Sequence, residues 1–219
     1  KDLPAVDMMK PSIETLATLN LDIIFATDMT MGGTVEDPFK PLSDSGVNVE
    51  YFSTSNSIEE IKSDILRVAQ ILNASSKGQK IVDQMEKAIQ EVKDKAPAEK
   101  KTVYFEISPA DAIYSFGNGV FLNELIEIAG GVNIFAAKEG WMNVSPEQVI
   151  AADPQVIFTN VNYTGIDEVA SIKARSGWSN ITAVKNNNVF YIDNVATSQP
   201  NQNIVIALKE MAKAIKDAK

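Results

Sequence analysis

Two short apolar runs, Asp22-Ile-Ile-Phe-Ala26 and Gln155-Val-Ile-Phe-Thr159, stand out from the mixed pattern around them. Each is too short for a helix and too uniformly apolar for a strand with one wet face. That pattern predicts a strand buried within a parallel sheet. A helix start precedes each run. Ser12 and Ser145 are good N-cap residues, and Glu14 and Glu147 follow in the first turn, where free N–H groups and the helix dipole favour a carboxylate. Pro146 suits the first helical position. Residues 12–27 align without a gap on 145–160, at a constant offset of 133, with Ser, Glu, Ile and Phe identical at four places. A second strand follows in each copy, Asn48-Val-Glu-Tyr-Phe52 and Asn188-Val-Phe-Tyr-Ile192, and after it an amphipathic helix, 57–72 and 201–216. The duplication predicts an α/β protein of two lobes, each a small parallel sheet flanked by helices.

Between the copies, Ile81, Val82, Met85, Ile89 and Val92 fall on one stripe at helical spacing, and Pro97 with Glu99-Lys-Lys101 ends it. The stripe reads as one long helix joining the lobes, which divides the chain into 1–75, a linker at 76–98, and 99–219. The second lobe opens with a strand at Thr102–Ile107 and a helix at Phe121–Ala129, stopped by Gly130-Gly131. The first lobe has no counterpart to that opening, so the chain is expected to start inside it, one strand–helix unit short.

Composition narrows the chemistry. There is no cysteine and no histidine, which excludes thiol catalysis, disulfides, a Ser-His-Asp triad and a His-rich metal site. The net charge of −9, with Arg67 and Arg175 as the only arginines and the lysines scattered, argues against a nucleic-acid partner. The opening Lys1-Asp2-Leu3-Pro4 lacks the features of a secretory signal. Gly117-Asn-Gly119 lacks the lysine and spacing of a phosphate loop and reads as a turn.

Three strings carry a family likeness: Phe121-Leu-Asn-Glu-Leu-Ile-Glu-Ile-Ala-Gly-Gly-Val-Asn-Ile134, Val144-Ser-Pro-Glu-Gln-Val-Ile-Ala-Ala-Asp-Pro-Gln-Val-Ile157 and Val184-Lys-Asn-Asn-Asn-Val-Phe-Tyr-Ile-Asp193. With Pro11-Ser-Ile-Glu-Thr-Leu16 and Leu21-Asp-Ile-Ile-Phe25, they resemble the helical-linker periplasmic binding proteins, which serve importers of ferric siderophores, heme and cobalamin. The resemblance implies a monomer that carries a small iron chelate or corrinoid to an ABC permease dimer outside the cytoplasmic membrane. It implies no cofactor, no resident metal and little closure on binding. It also implies that Glu14 and Glu147 dock onto permease arginines, one per lobe, which suits a two-fold partner. The departures are the missing opening unit and the absence of any histidine for the cleft.

Ligand contacts are expected at the carboxyl ends of the parallel strands, facing a crevice between the lobes. In lobe one these are Thr27, Asp28, Met29 and Met31, with Ser53 and Thr54. In lobe two they are Ser108, Asn160, Val161, Asn162 and Tyr163, with Asn194 after the last strand. Loops add Tyr114, Phe116, Trp141 and Arg175. Aromatic rings suit a flat or conjugated ligand. A thioether from Met29 or Met31 to heme iron is a weaker idea, because methionine usually fills space. The competing readings are a chelatase-like enzyme on a related two-lobed frame, which lacks a nucleophile–base pair here, and a sensor or adhesion domain that shares the fold.

Overall fold

The computed structural model describes residues 5–7, 11–31, 37–108, 113–162 and 165–219. Packing divides the chain into a smaller unit, Lys1–Thr54, and a larger one, Ser55–Lys219. The expected linker helix and the amphipathic helix before it both belong to the larger unit.

In the smaller unit, α1 (Ile13–Ala17), β1 (Ile23–Thr27), α2 (Lys40–Asp44) and β2 (Asn48–Phe52) follow one another. Ser12 caps α1 through its Oγ, which accepts from the Thr15 N–H at 3.3 Å. The strands pair in parallel, Ile24 opposite Val49. Leu16, Ala26, Phe39 and Leu42 form the buried core beneath one face. On the other face Phe25 is 40% exposed and meets Phe52 edge-on, at a centroid distance of 5.9 Å.

The larger unit opens with α3 (Ile58–Ile71) and α4 (Ser75–Lys93). These two helices cross so closely at Gly78 that a Cβ there would lie 2.4 Å from the Ala69 Cβ, so glycine is required. β3 (Lys101–Glu106), β4 (Tyr114–Phe116), α5 (Phe121–Ile128), β5 (Gly131–Asn133) and β6 (Trp141–Asn143) follow. The repeat then comes as α6 (Pro146–Ala152) and β7 (Val156–Thr159), with α7 (Glu168–Ala174) and α8 (Thr182–Lys185) leading to β8 (Val189–Tyr191). Two helices, α9 (Asn194–Ser198) and α10 (Ile204–Asp217), close the chain.

Four strands form one parallel sheet in the order β5-β3-β7-β8. Side chains alternate faces along a strand. Val103, Phe105, Val156 and Phe158 therefore enter one core, packed by α4, α5 and α10. Tyr104, Ile157 and Val189 enter a second core around Val149, Ile172 and Trp178. Helices on both faces explain why the strands read as nearly unbroken apolar runs. The two repeat copies lie in separate sheets, and their registers agree: Ile157 pairs with Val189 as Ile24 pairs with Val49. Ser145 caps α6 as Ser12 caps α1, here completed to a capping box by Gln148. The pairing of β4 with β6, antiparallel and three residues a strand, has no precedent in the sequence pattern.

Candidate functional site

The carboxyl end of β1 runs directly into a short 3-10 turn, Asp28–Met31. Thr27 has a buried Oγ1 without a hydrogen-bond partner among the described residues. Asp28 ties this turn to the end of β2: its Oδ2 accepts from the Thr54 N–H at 3.2 Å and its Oδ1 from the Thr54 hydroxyl at 3.0 Å. Met29 and Met31 are in the turn, but their side chains lie outside what the structure describes. Ser53 is exposed at the strand end.

In the larger unit the carboxyl end of β3 leads to Ser108, whose Oγ accepts from the Tyr114 N–H at 2.7 Å. That bond sets the start of β4. Tyr114, Phe116 and Trp141 belong to the β4–β6 pair and not to loops, and Phe116 stands directly opposite Trp141. Phe116 is fully buried, packed edge-on against Phe105 at 5.5 Å and against Trp141 at 5.6 Å. Trp141 and Tyr114 remain 51% and 40% exposed. The pair thus presents two aromatic side chains to solvent, and the indole rests on a core phenyl. Gly117 allows this ribbon to form, because a Cβ there would lie 2.1 Å from the Lys138 carbonyl oxygen.

At the end of β7, Asn160 is buried, and its Nδ2 donates to the Thr197 hydroxyl at 2.9 Å. Its carbonyl accepts from Asn194 Nδ2 at 2.7 Å, which draws the start of α9 to the same edge. The Asn160 Oδ1 is buried with no partner among the described residues. Val161 is buried and Asn162 exposed. Tyr163 lies outside the described residues.

Arg175 caps α7 and faces inward. Its NH1 and NH2 each bond a Glu106 carboxylate oxygen at 2.7 Å, NH2 lies 3.4 Å from Glu168, and the guanidinium sits 4.3 Å over the Trp178 ring. Tyr104 donates to Glu106 at 3.0 Å. Burial lowers the tendency of this guanidinium to stay charged, but hydrogen bonds and charge from Glu106 outweigh it and hold its pKa above the ordinary value. Burial, with help from the Glu106 charge, pushes the Glu168 carboxyl up against the opposing pull of Arg175. Burial likewise raises the Tyr104 phenol. Glu106, Glu168 and Tyr104 escaped the sequence reading. The signal was an acid inside the apolar string Thr102-Val-Tyr-Phe-Glu-Ile107, which must find a counter-charge.

Glu14 and Glu147 occupy equivalent first-turn positions of α1 and α6, and both are exposed. Hydrogen bonds from its own backbone N–H and from Ser145 hold the Glu147 carboxyl below its ordinary pKa, so it is an anion at neutral pH. Among the described residues, no cluster of three metal-ligating side chains occurs, and no helix is long and apolar enough to cross a membrane.

In both units the parallel strands end in polar side chains, and in the larger unit exposed aromatic rings stand beside them, at the sheet edge where α/β proteins bind small molecules. A family model described as "Periplasmic binding protein" matches residues 5–196, and the chain belongs to that family. It is similar to the uncharacterized ABC transporter substrate-binding lipoprotein YvrC of Bacillus subtilis, with 26% identity over 98% of this chain and 68% of that protein. It is 25% identical to a vitamin B12-binding protein of Vibrio parahaemolyticus, over 94% of this chain and 73% of that one. Among solved structures, a possible iron-binding (periplasmic solute-binding) protein from Staphylococcus epidermidis superposes with a TM-score of 0.83 at 28% identity, covering 96% of this chain and 82% of the other.

Proposed function

We propose that this substrate-binding protein of an ABC importer takes an iron chelate, a ferric siderophore or heme, and passes it to a permease dimer. The reading rests on one observation above others: Trp141 and Tyr114 stand exposed beside the carboxyl end of β3, the indole backed by the buried Phe116. Rigid rings give a flat, conjugated ligand contact area at little entropic cost. The chain has neither histidine nor cysteine, so the metal is taken to arrive already chelated. Ser108 and Asn160 in the larger unit, and Thr27, Asp28, Met29 and Met31 in the smaller, are the further proposed contacts. Phe116 contributes as the base under Trp141, and Tyr163 completes the set, while Arg175 is assigned to the fold because Glu106 and Glu168 already hold its guanidinium. Cobalamin is the second reading, favoured by the likeness to the vitamin B12-binding protein.

Glu14 and Glu147 are proposed to meet permease arginines, and the protein to work as a monomer outside the cytoplasmic membrane, in the periplasm or lipid-anchored on the surface. The helix at 76–98 is proposed as the link between functional lobes 1–75 and 99–219.

The two tryptophans supply the test, because Trp141 is half exposed and Trp178 fully buried. Titration with ferric siderophores, heme and cobalamin should quench fluorescence with one of the iron chelates at the lowest concentration. Trp141→Phe should abolish most of that quenching, and Trp141→Ala should weaken binding about tenfold or more. Quenching by cobalamin alone selects the second reading. Quenching by none of the three sinks the ligand class.

A further inference from the structure

Lys209, Lys213 and Lys216 stand at i, i+4 and i+7 on α10 with Ala212 among them, so they share one stripe of that helix. These lysines and Lys95 are exposed, and they rim an open groove of about 460 Å³ whose floor is formed by the apolar groups of Val92, Ala96, Pro97 and Ala129. The volume is that of a small-molecule site, which spans roughly 300–1,000 Å³. Four lysines converge there against only two acids, Glu91 and Asp217, in a chain whose net charge is −9. None of the four ammonium groups has a carboxylate partner among the described residues.

Helix-end electrostatics do not account for the cluster. The attraction of a helix C-terminus for cations fades beyond the last turn. In α10 that turn contains only Lys216, while Lys209 and Lys213 lie further back. Like charges at i, i+4 repel each other, and an anion shared between them relieves the repulsion. The groove lies toward the amino-terminal edge of the sheet: Lys101, the first residue of β3, bonds the carbonyls of Gly130 and Ala218, which adjoin the lining residues Ala129 and Asp217. It is therefore separate from the carboxyl edge that carries Trp141 and Asn160.

We propose that this groove binds an anionic amphiphile, a carboxylate on a short aliphatic chain, with the head among Lys209, Lys213 and Lys95 and the chain against Val92, Pro97 and Ala129. The inference stands independently of the iron-chelate reading.

Octanoate tests it on the isotope-labelled full-length protein. The backbone amide signals of Ala96, Ala129 and Ala212 should shift saturably, with a Kd on the order of 1 mM as befits so small a ligand. Acetate lacks the chain and octanol lacks the charge, so each should bind at least tenfold more weakly. The double variant Lys209→Glu, Lys213→Glu should lose the octanoate response while keeping its far-UV circular dichroism and its response to the importer ligand. Ala212→Phe, which fills the groove without removing charge, should lose it too. Four results would each overturn the proposal: no saturable shift at these amides, equal binding of acetate, an undiminished response in both variants, or association with phosphatidylglycerol vesicles without any octanoate binding.

Discussion

Arg175 is held on three sides, by Glu106, Glu168 and the Trp178 ring. Removing one partner of a buried ion pair leaves an uncompensated charge and costs about 3–5 kcal/mol. Arg175→Met should destabilise the larger unit by that order in urea unfolding. If Arg175 instead served the ligand, stability would hold and affinity alone would fall, so one variant separates the two roles. Glu168 adds a pH dependence. Folding raises its pKa above the ordinary 4.5, so the folded chain holds this proton more tightly than the unfolded chain does. Its stabilising contribution is complete below pH 4.5 and declines as pH climbs through the raised native value. Glu168→Gln should remove that decline, seen as a flatter plot of urea midpoint against pH above 4.5. Residue-level legibility was uneven. The capping serines and the first-turn acids followed from local hydrogen bonding, whereas the Glu106–Arg175 pair joins positions 69 residues apart and needed the fold to bring them together.

Elements of four or more residues with a clear period were readable. β1, β7 and the helices of the repeat announced themselves through apolar runs and caps, and their parallel registers agree. The β4–β6 ribbon was not readable, because three residues a strand are too few to show alternation, and tertiary contact through Phe116 holds them in place. The repeat also conceals an asymmetry. Phe25 and Phe158 are equivalent in sequence, yet one is 40% exposed among the described residues and the other fully buried between β-sheet and helices. Phe158→Ala should therefore cost about 3–5 kcal/mol by cavity formation. Phe25→Ala should cost well under half of that. Chemical denaturation monitored separately for each unit checks the pair, and equal losses would mean that the two positions are packed alike.

On the scale of the whole molecule, duplication places one exposed acid at the same point of each unit. A permease built from two like subunits would read such a pair as two matching anchors. Charge reversal at both, Glu14→Lys with Glu147→Lys, should abolish uptake in a transport assay and leave ligand affinity unchanged. A fall in affinity would assign these residues to the ligand instead. The four-stranded sheet sets a different kind of limit. Because β7 sends Val156 and Phe158 to one core and Ile157 to the other, deleting a single residue within it would exchange the tenants of both interiors at once, forcing a phenyl ring into space shaped for an isoleucine beside Trp178. Relatives of this chain can then be expected to differ in length at their turns, while the spacing inside this central strand stays untouched.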